Sequence, residues 1–216
     1  MIKRSIGLVV NVIMLCITAA VFSRLPAEVP THWNLHGEIN GTMAKFPGAF
    51  LASTMAIVVW FVLPLLRRID PRRASYERFD ATFYLVVNAV VLILAMIQGL
   101  TLAVALGMRV DMTRSMLLGV GLMFIVLGNY MPRLRSNWWM GIRTPWTLES
   151  EEVWRRTHRF GGRAFMLAGI ITVFATLLPT EAAGTIAFGV IMIAVLLPVV
   201  YSYFVWRSER RGAPDA

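Results

Sequence analysis

Six apolar runs whose cores hold no Asp, Glu, Lys or Arg constrain this chain more than any other feature. They cover about residues 5–22, 47–66, 83–106, 115–130, 164–178 and 185–206. About 20 apolar residues at 1.5 Å each cross the hydrocarbon layer of a bilayer. Each run therefore reads as a span, with 115–130 and 164–178 extending into their flanks. Backbone polar groups in lipid must be paired within the segment, which makes the spans α-helices. The alternating pattern of a membrane β-barrel is absent. Composition agrees, since 57% of the 216 residues are hydrophobic and 15% charged. A soluble domain runs about 45–50% apolar and about 25% charged. A disordered chain, a fibre and an ordinary soluble enzyme all fit poorly. The expected fold is all-α and polytopic, with six transmembrane helices.

The N-terminus has the charge and apolar order of a signal peptide. The run ends, however, in Phe22-Ser23-Arg24-Leu25-Pro26 without a small-x-small cleavage site, and Leu15 is too large to precede a lipoprotein cysteine. The reading is an uncleaved first span. Cys16, the single cysteine, lies inside that run and can make no internal disulfide.

Charge orients the bundle. Lys3 and Arg4, five arginines between 67 and 78, seven between 133 and 163, and three after Trp206 fall in alternate segments, 17 in all against 4 on the opposite side. Basic residues collect on the cytoplasmic side, so both termini are expected inside the bacterial cytoplasmic membrane. The excess that gives a net +9 is thus spent on orientation. Direct nucleic-acid binding is not expected, because the basic loop 67–80 is too short to form a folded basic face. That loop, broken at Asp70-Pro71, reads as a topology determinant touching anionic headgroups.

Two loops exceed a connector's length, 24–46 outside and 131–163 inside. They divide the chain into an N-terminal two-span unit, 1–82, and a four-span unit, 83–216. The inner loop holds Trp138, Trp139, Trp146 and Trp154, four of seven tryptophans. Trp favours the headgroup level, which predicts a loop lying on the membrane surface. Thr144 or Thr147 can cap a helix with Pro145 in its first turn. Glu149, Glu151 and Glu152 then precede Arg155, Arg156 and Arg159, matching a helix dipole. Pairs Glu151–Arg155 and Glu152–Arg156 have helical spacing. An interfacial helix results, and Gly161-Gly162 is expected to break or bend it before the fifth span. His158 lies among arginines that oppose its protonation. With no Ser or Cys nucleophile beside it, the expected role is packing, not catalysis.

In the outer loop, His36-Gly37 and Asn40-Gly41 are turn signals between stretches that can pair as a hairpin. His32, His36 and Glu38 would hold a metal only if helical, and the intervening Asn and Gly argue against a helix. No metal and no cofactor is expected. Asn11, Asn88, Gln98 and Asn129 are the intramembrane amides, expected to join helices by hydrogen bonds. Ion-coupled transporters place ionisable groups along the substrate path, and these span cores have none.

The inner stretch Gly128-Asn129-Tyr130-Met131-Pro132, Gly141-Ile142-Arg143-Thr144-Pro145-Trp146-Thr147, Glu151-Glu152-Val153-Trp154 and Thr157-His158 to Gly161-Gly162 closely resembles SdpI-type bacterial immunity proteins. The outer stretch Leu25-Pro26, Val29-Pro30-Thr31-His32-Trp33-Asn34, Gly37-Glu38, Gly41 and Lys45 resembles the extracytoplasmic domain often found upstream in that family. The resemblance implies protection from a secreted peptide toxin and signalling to a cytoplasmic transcriptional regulator, without catalysis. It points to Asn129, Arg143, Thr144, Pro145, Trp146, Glu152, Trp154, Arg156 and His158 as the inner partner-facing residues, Arg143 foremost. Toward the toxin it points to His32, Trp33, Asn34, Gly37 and Gly41. Two other functions compete: a small exporter of a peptide or solute, and a module that only recruits a regulator to the membrane.

Overall fold

The computed structural model describes residues 2–34 and 36–212; residues 1 and 213–216, the tips of the two expected units, lie outside the described residues. The order is α1 (Ile2–Val21), β1 (Glu28–Trp33), β2 (Ile39–Ala44), α2 (Lys45–Ile69), α3 (Asp80–Ala105), α4 (Met112–Tyr130), α5 (Pro145–Glu149), α6 (Glu151–Ala175) and α7 (Thr180–Gly212). A 3-10 segment, Arg73–Phe79, leads into α3. The chain is an all-α polytopic membrane protein. Its helices carry an exterior that water would not tolerate: Phe61, Phe174, Phe188 and Phe204 are all about 60% exposed or more. Among the described residues, five helical stretches are long and apolar enough to cross a membrane. The fifth apolar run is the second half of α6, from Ala164 onward, and α6's first half carries Glu151, Glu152, Arg155, Arg156, Arg159 and Arg163.

The helices pack in two groups, α1 with α2 and α3, and α4 with α6 and α7, while α3 also touches α4. In the first group Gln98 of α3 donates to Thr18 Oγ1 of α1 at 3.0 Å and to the Ala49 carbonyl of α2 at 2.5 Å. This is the expected helix-joining amide. Asn11, also buried, has no protein partner for its amide, and Asn129 is exposed.

In the second group the contact is made by glycine. A Cβ on Gly128 would lie 2.6 Å from the Gly162 carbonyl oxygen, and one on Gly162 would lie 2.6 Å from that of Gly128. Two turns away, a Cβ on Gly121 would lie 3.0 Å from the Gly169 oxygen, and one on Gly169 2.5 Å from that of Gly121. Small residues at matched positions let two backbones touch, which is how helices gain packing energy in lipid.

This corrects an expectation. Gly161-Gly162 does not break α6, which runs unbroken from Glu151 to Ala175. Glycine's poor helix propensity is overridden by the contacts its missing side chain permits. The helix expected in the fourth loop is not separate: α5 is a single turn, and the stretch from Glu151 is the first half of α6, with Val153, Trp154, Thr157 and His158 buried and Glu151, Arg155, Arg156 and Arg159 exposed. The ion pair there is Glu152–Arg155 at 2.6 Å, three residues apart, in place of the two four-residue pairs expected.

The hairpin forms as expected, but its turn lies at 34–38 and Asn40-Gly41 falls within β2. Leu25 and Val29 seat it on Ala49 of α2 and Leu102 of α3.

Candidate functional site

At the end of the bundle that carries the basic loops, the loops that follow the second and fourth apolar runs are joined into one folded platform. α2 ends at Ile69 because Pro71 cannot continue it. Asp70 turns inward and is 2% exposed. Its Oδ1 accepts the Arg72 N–H at 2.7 Å, and its Oδ2 accepts the Tyr76 hydroxyl at 2.7 Å and the Trp138 N–H at 2.9 Å. Arg72 reaches the same loop, donating to Ser136 Oγ and, at 2.5 Å, to the Leu148 carbonyl. Asn137, fully buried, folds the loop on itself. Its Oδ1 accepts the N–H groups of Trp139 (2.9 Å) and Met140 (2.7 Å), and its Nδ2 donates to the carbonyls of Arg135 (2.8 Å) and Met140 (3.0 Å). Beneath lies the largest apolar cluster, built from Tyr76, Phe79, Phe83, Leu134, Met140 and Trp154 among others.

Trp154 is thus a core residue, 1% exposed, its indole N–H donating to the Leu134 carbonyl at 2.9 Å. The surface placement expected of it is wrong, because its helix turns that face toward the platform. Trp138 and Trp139 are the exposed pair, and Trp146 packs on Tyr203 and Trp206 of α7.

His158 closes the arrangement. Its Nδ1 faces the Trp154 carbonyl at 2.8 Å, and its Nε2 accepts the Ile142 N–H at 2.9 Å. A carbonyl on one nitrogen and an amide donor on the other define the neutral Nδ1–H tautomer. Gly141 lets the loop come this close. Its φ of +107° suits glycine, and a Cβ there would collide with Nε2. His158 precedes the apolar part of α6, and burial pushes its pKa down to about 4. Burial, rather than the neighbouring arginines, is the main cause.

A pH prediction follows. In the unfolded chain the ring titrates near 6.5, so between about 6.5 and 4 the unfolded state binds the extra proton and stability falls as pH falls. At pH 4.5 the loss from this ring should reach about 2–3 kcal/mol. Thermal melting in detergent at pH 7.5 and 4.5 checks this: the difference should shrink in His158→Phe, and an equal difference in both proteins would refute it.

Thr144 caps α5, its hydroxyl accepting the Thr147 N–H at 3.2 Å with Pro145 in the first turn. It also meets Ser202 of α7 at 3.1 Å. Glu149 accepts from Trp206 (2.8 Å) and Arg210 (2.7 Å), so the end of α7 is bound to the platform. Arg143 is exposed, one Nη1–H donating to the Trp138 carbonyl at 2.7 Å. The structure therefore gathers Arg143, Thr144, Pro145, Trp146, Trp154 and His158 in one assembly. Glu152 and Arg156 lie on the first turns of α6, and Asn129 stands apart on the last turn of α4. Asp70, Arg72, Tyr76 and Asn137 were missed by sequence reasoning; the only signal was an acidic residue before Pro71 in an otherwise basic loop.

At the opposite end of the bundle, Asn34 organises the hairpin turn. Its Oδ1 accepts the N–H groups of His36 (2.9 Å) and Glu38 (3.0 Å), and its Nδ2 donates to Glu38 at 2.7 Å. Gly37 has φ +81°. His32 Nδ1 is 2.6 Å from Asn40 Oδ1, and Gly41 faces the His32 Cβ across the strands. Trp33, Gly37 and Ile39 line a cleft of about 440 Å³ with Val104, Met108 and Met112 from the α3–α4 corner. Among the described residues no group of three or more His, Cys, Asp or Glu could hold a metal.

Residues 133–202, which include the 134–149 loop of the platform, α6 and most of α7, match the SdpI/YfhL protein family. Residues 9–57, which include the hairpin, match a domain of unknown function, DUF1648. Immunity protein SdpI of Bacillus subtilis (strain 168) is 24% identical over 204 residues, covering 93% of this chain and 96% of that protein. No solved structure matches. The likeness to that immunity protein thus extends across both the hairpin and the platform.

Proposed function

We propose that this chain confers resistance to a secreted peptide toxin as a non-catalytic membrane immunity and signalling protein. The observation that carries the reading is the inner platform, a polar and aromatic assembly in which Asp70, Arg72 and Tyr76 hold the first part of the segment that matches the SdpI/YfhL family. It presents Arg143, Trp138 and Trp139 to the cytoplasm while burying the groups that hold them. In this reading the chain crosses the membrane six times with both termini inside, the second half of α6 being the fifth crossing. The toxin meets the hairpin and its cleft at Trp33 and Gly37. A cytoplasmic regulator meets Arg143 and the Glu152/Arg156 turns of α6. α3 couples the two sides, because Phe83 near its start is in the platform core and Val104 near its end lines the outer cleft. The four-span unit from residue 83 then carries the coupling helix and the 134–158 part of the platform, while Asp70, Arg72 and Tyr76 of the two-span unit tie that part to α2.

The test is survival and membrane potential of a toxin-sensitive host expressing the chain and challenged with secreted peptides of its native strain. Arg143→Ala breaks one exposed hydrogen bond, a change of about 1 kcal/mol, so membrane abundance should hold while protection falls at least tenfold. Undiminished protection at equal abundance would remove Arg143 from the mechanism. No protection by the unaltered, correctly inserted chain would overturn the immunity reading itself.

A further inference from the structure

A groove of about 470 Å³ lies where the two helix groups meet, directly beneath the 140–144 segment of the platform. Its walls are Val86 of α3, Leu127 of α4, Phe165 of α6, and Val195 and Val199 of α7, and its roof includes Ile142. Val195 and Val199 are 39% and 38% exposed, so the groove opens sideways between helices, toward the bilayer. Arg143 is its only charged lining residue, and no carboxylate lines it. Three other arginines at this end have such partners: Arg67 pairs with Asp80, Arg155 with Glu152 and Arg210 with Glu149. Arg143 has only the Trp138 carbonyl among the described residues, on one of its five N–H groups.

An apolar slot open to lipid, with an uncompensated guanidinium at its inner end, is complementary to one kind of molecule at that depth. We propose that the groove binds an anionic phospholipid of the inner leaflet, an acyl chain lying along Val86, Phe165 and Val199 and the phosphate on Arg143. Guanidinium suits phosphate because its fork of donors matches two phosphate oxygens. Basic pockets between helices at the cytoplasmic side are where such headgroups are held. Free phosphate would leave the apolar wall uncovered, and a zwitterionic lipid would set its own ammonium beside the arginine. The lipid would then join the two helix groups under the segment that presents Arg143. This inference concerns the same arginine as the immunity reading but does not depend on a toxin.

The experiment is native mass spectrometry of the full chain in detergent after delipidation, with dioleoyl phosphatidylglycerol or dioleoyl phosphatidylcholine added at equal concentration. The unaltered chain should retain the anionic lipid at least fivefold over the zwitterionic one. Arg143→Gln should bring the two to parity. Val199→Trp, which fills the groove from its lipid side, should reduce retention of both to background with Arg143 in place. Val195→Phe provides a second filling variant should the first lower the yield of folded protein. Millimolar inorganic phosphate should not displace the lipid. Equal retention of both lipids by the unaltered chain, undiminished retention by the filled variants, or displacement by phosphate would each overturn the proposal. Because no toxin is present, failure here leaves the immunity reading intact, and loss of protection alongside normal lipid retention would sink that reading alone.

Discussion

Leucine at Gly128 or at Gly162 should drive α4 and α6 apart and lower stability by about 3 kcal/mol or more. At both positions a Cβ would meet the opposing carbonyl oxygen at 2.6 Å, and Gly162 would also press on Pro132 at 3.0 Å. Neither obstacle is a flexible side chain that can step aside, so the helices themselves must separate. The separation would also remove the paired contact at Gly121 and Gly169, since both lie along the same seam. Gly189 of α7 provides the comparison: a Cβ there meets nothing within 4 Å, so Gly189→Leu should leave stability level or raise it slightly through helix propensity. Thermal melting of the three variants in one detergent separates the outcomes. A Gly128→Leu protein that inserts and melts like the unaltered chain would show that the seam is not a close backbone contact.

Much of this architecture was legible because its cause is local. Uncharged runs specify the long helices, Thr144-Pro145 specifies the start of α5, and the stretch around Asn34 and Gly37 specifies a turn. What was hidden depends on residues far apart in the chain. Gly161-Gly162 looks like a helix breaker until α4 is placed against it, and the matching glycines 121 and 128 carry no mark of partnership. Trp154 reads as an interface residue because tryptophan favours that level; only the fold shows that its face of α6 meets Leu134. Asp70 is the plainest case. Amid Arg67, Arg68, Arg72 and Arg73 it reads as a minor exception in a basic loop, yet its partner Trp138 lies 68 positions away. The same long-range pairing explains why the basic loop is more than a topology determinant, with Arg72 turned into the platform, Arg67 over the Tyr76 and Phe83 rings, and Arg68 and Arg73 left exposed.

Asp70→Ala should therefore be among the most damaging single changes in the platform, costing about 3–5 kcal/mol. It removes the acceptor for two backbone N–H groups and the Tyr76 hydroxyl in a place that water reaches poorly. Hydrogen bonds to a charged acceptor contribute about 1.5–3 kcal/mol each, and losing three at once is not additive. Asp70→Asn should cost roughly half as much, because one oxygen remains and the Tyr76 hydroxyl can rotate to accept from the new amide. The damage should also be local. Amide hydrogen exchange should speed up across residues 135–142, where Asn137 and the Trp138 N–H lose their anchor, while the β1–β2 hairpin, seated on Ala49 and Leu102 at the far end of the helices, keeps its protection. If the platform presents Arg143 in the way the immunity reading requires, Asp70→Ala should weaken protection although Arg143 itself is unchanged. Unaltered exchange in 135–142 would mean that Asp70 does not hold the two loops together, and loosened exchange with full protection would mean that Arg143 acts without a rigid support.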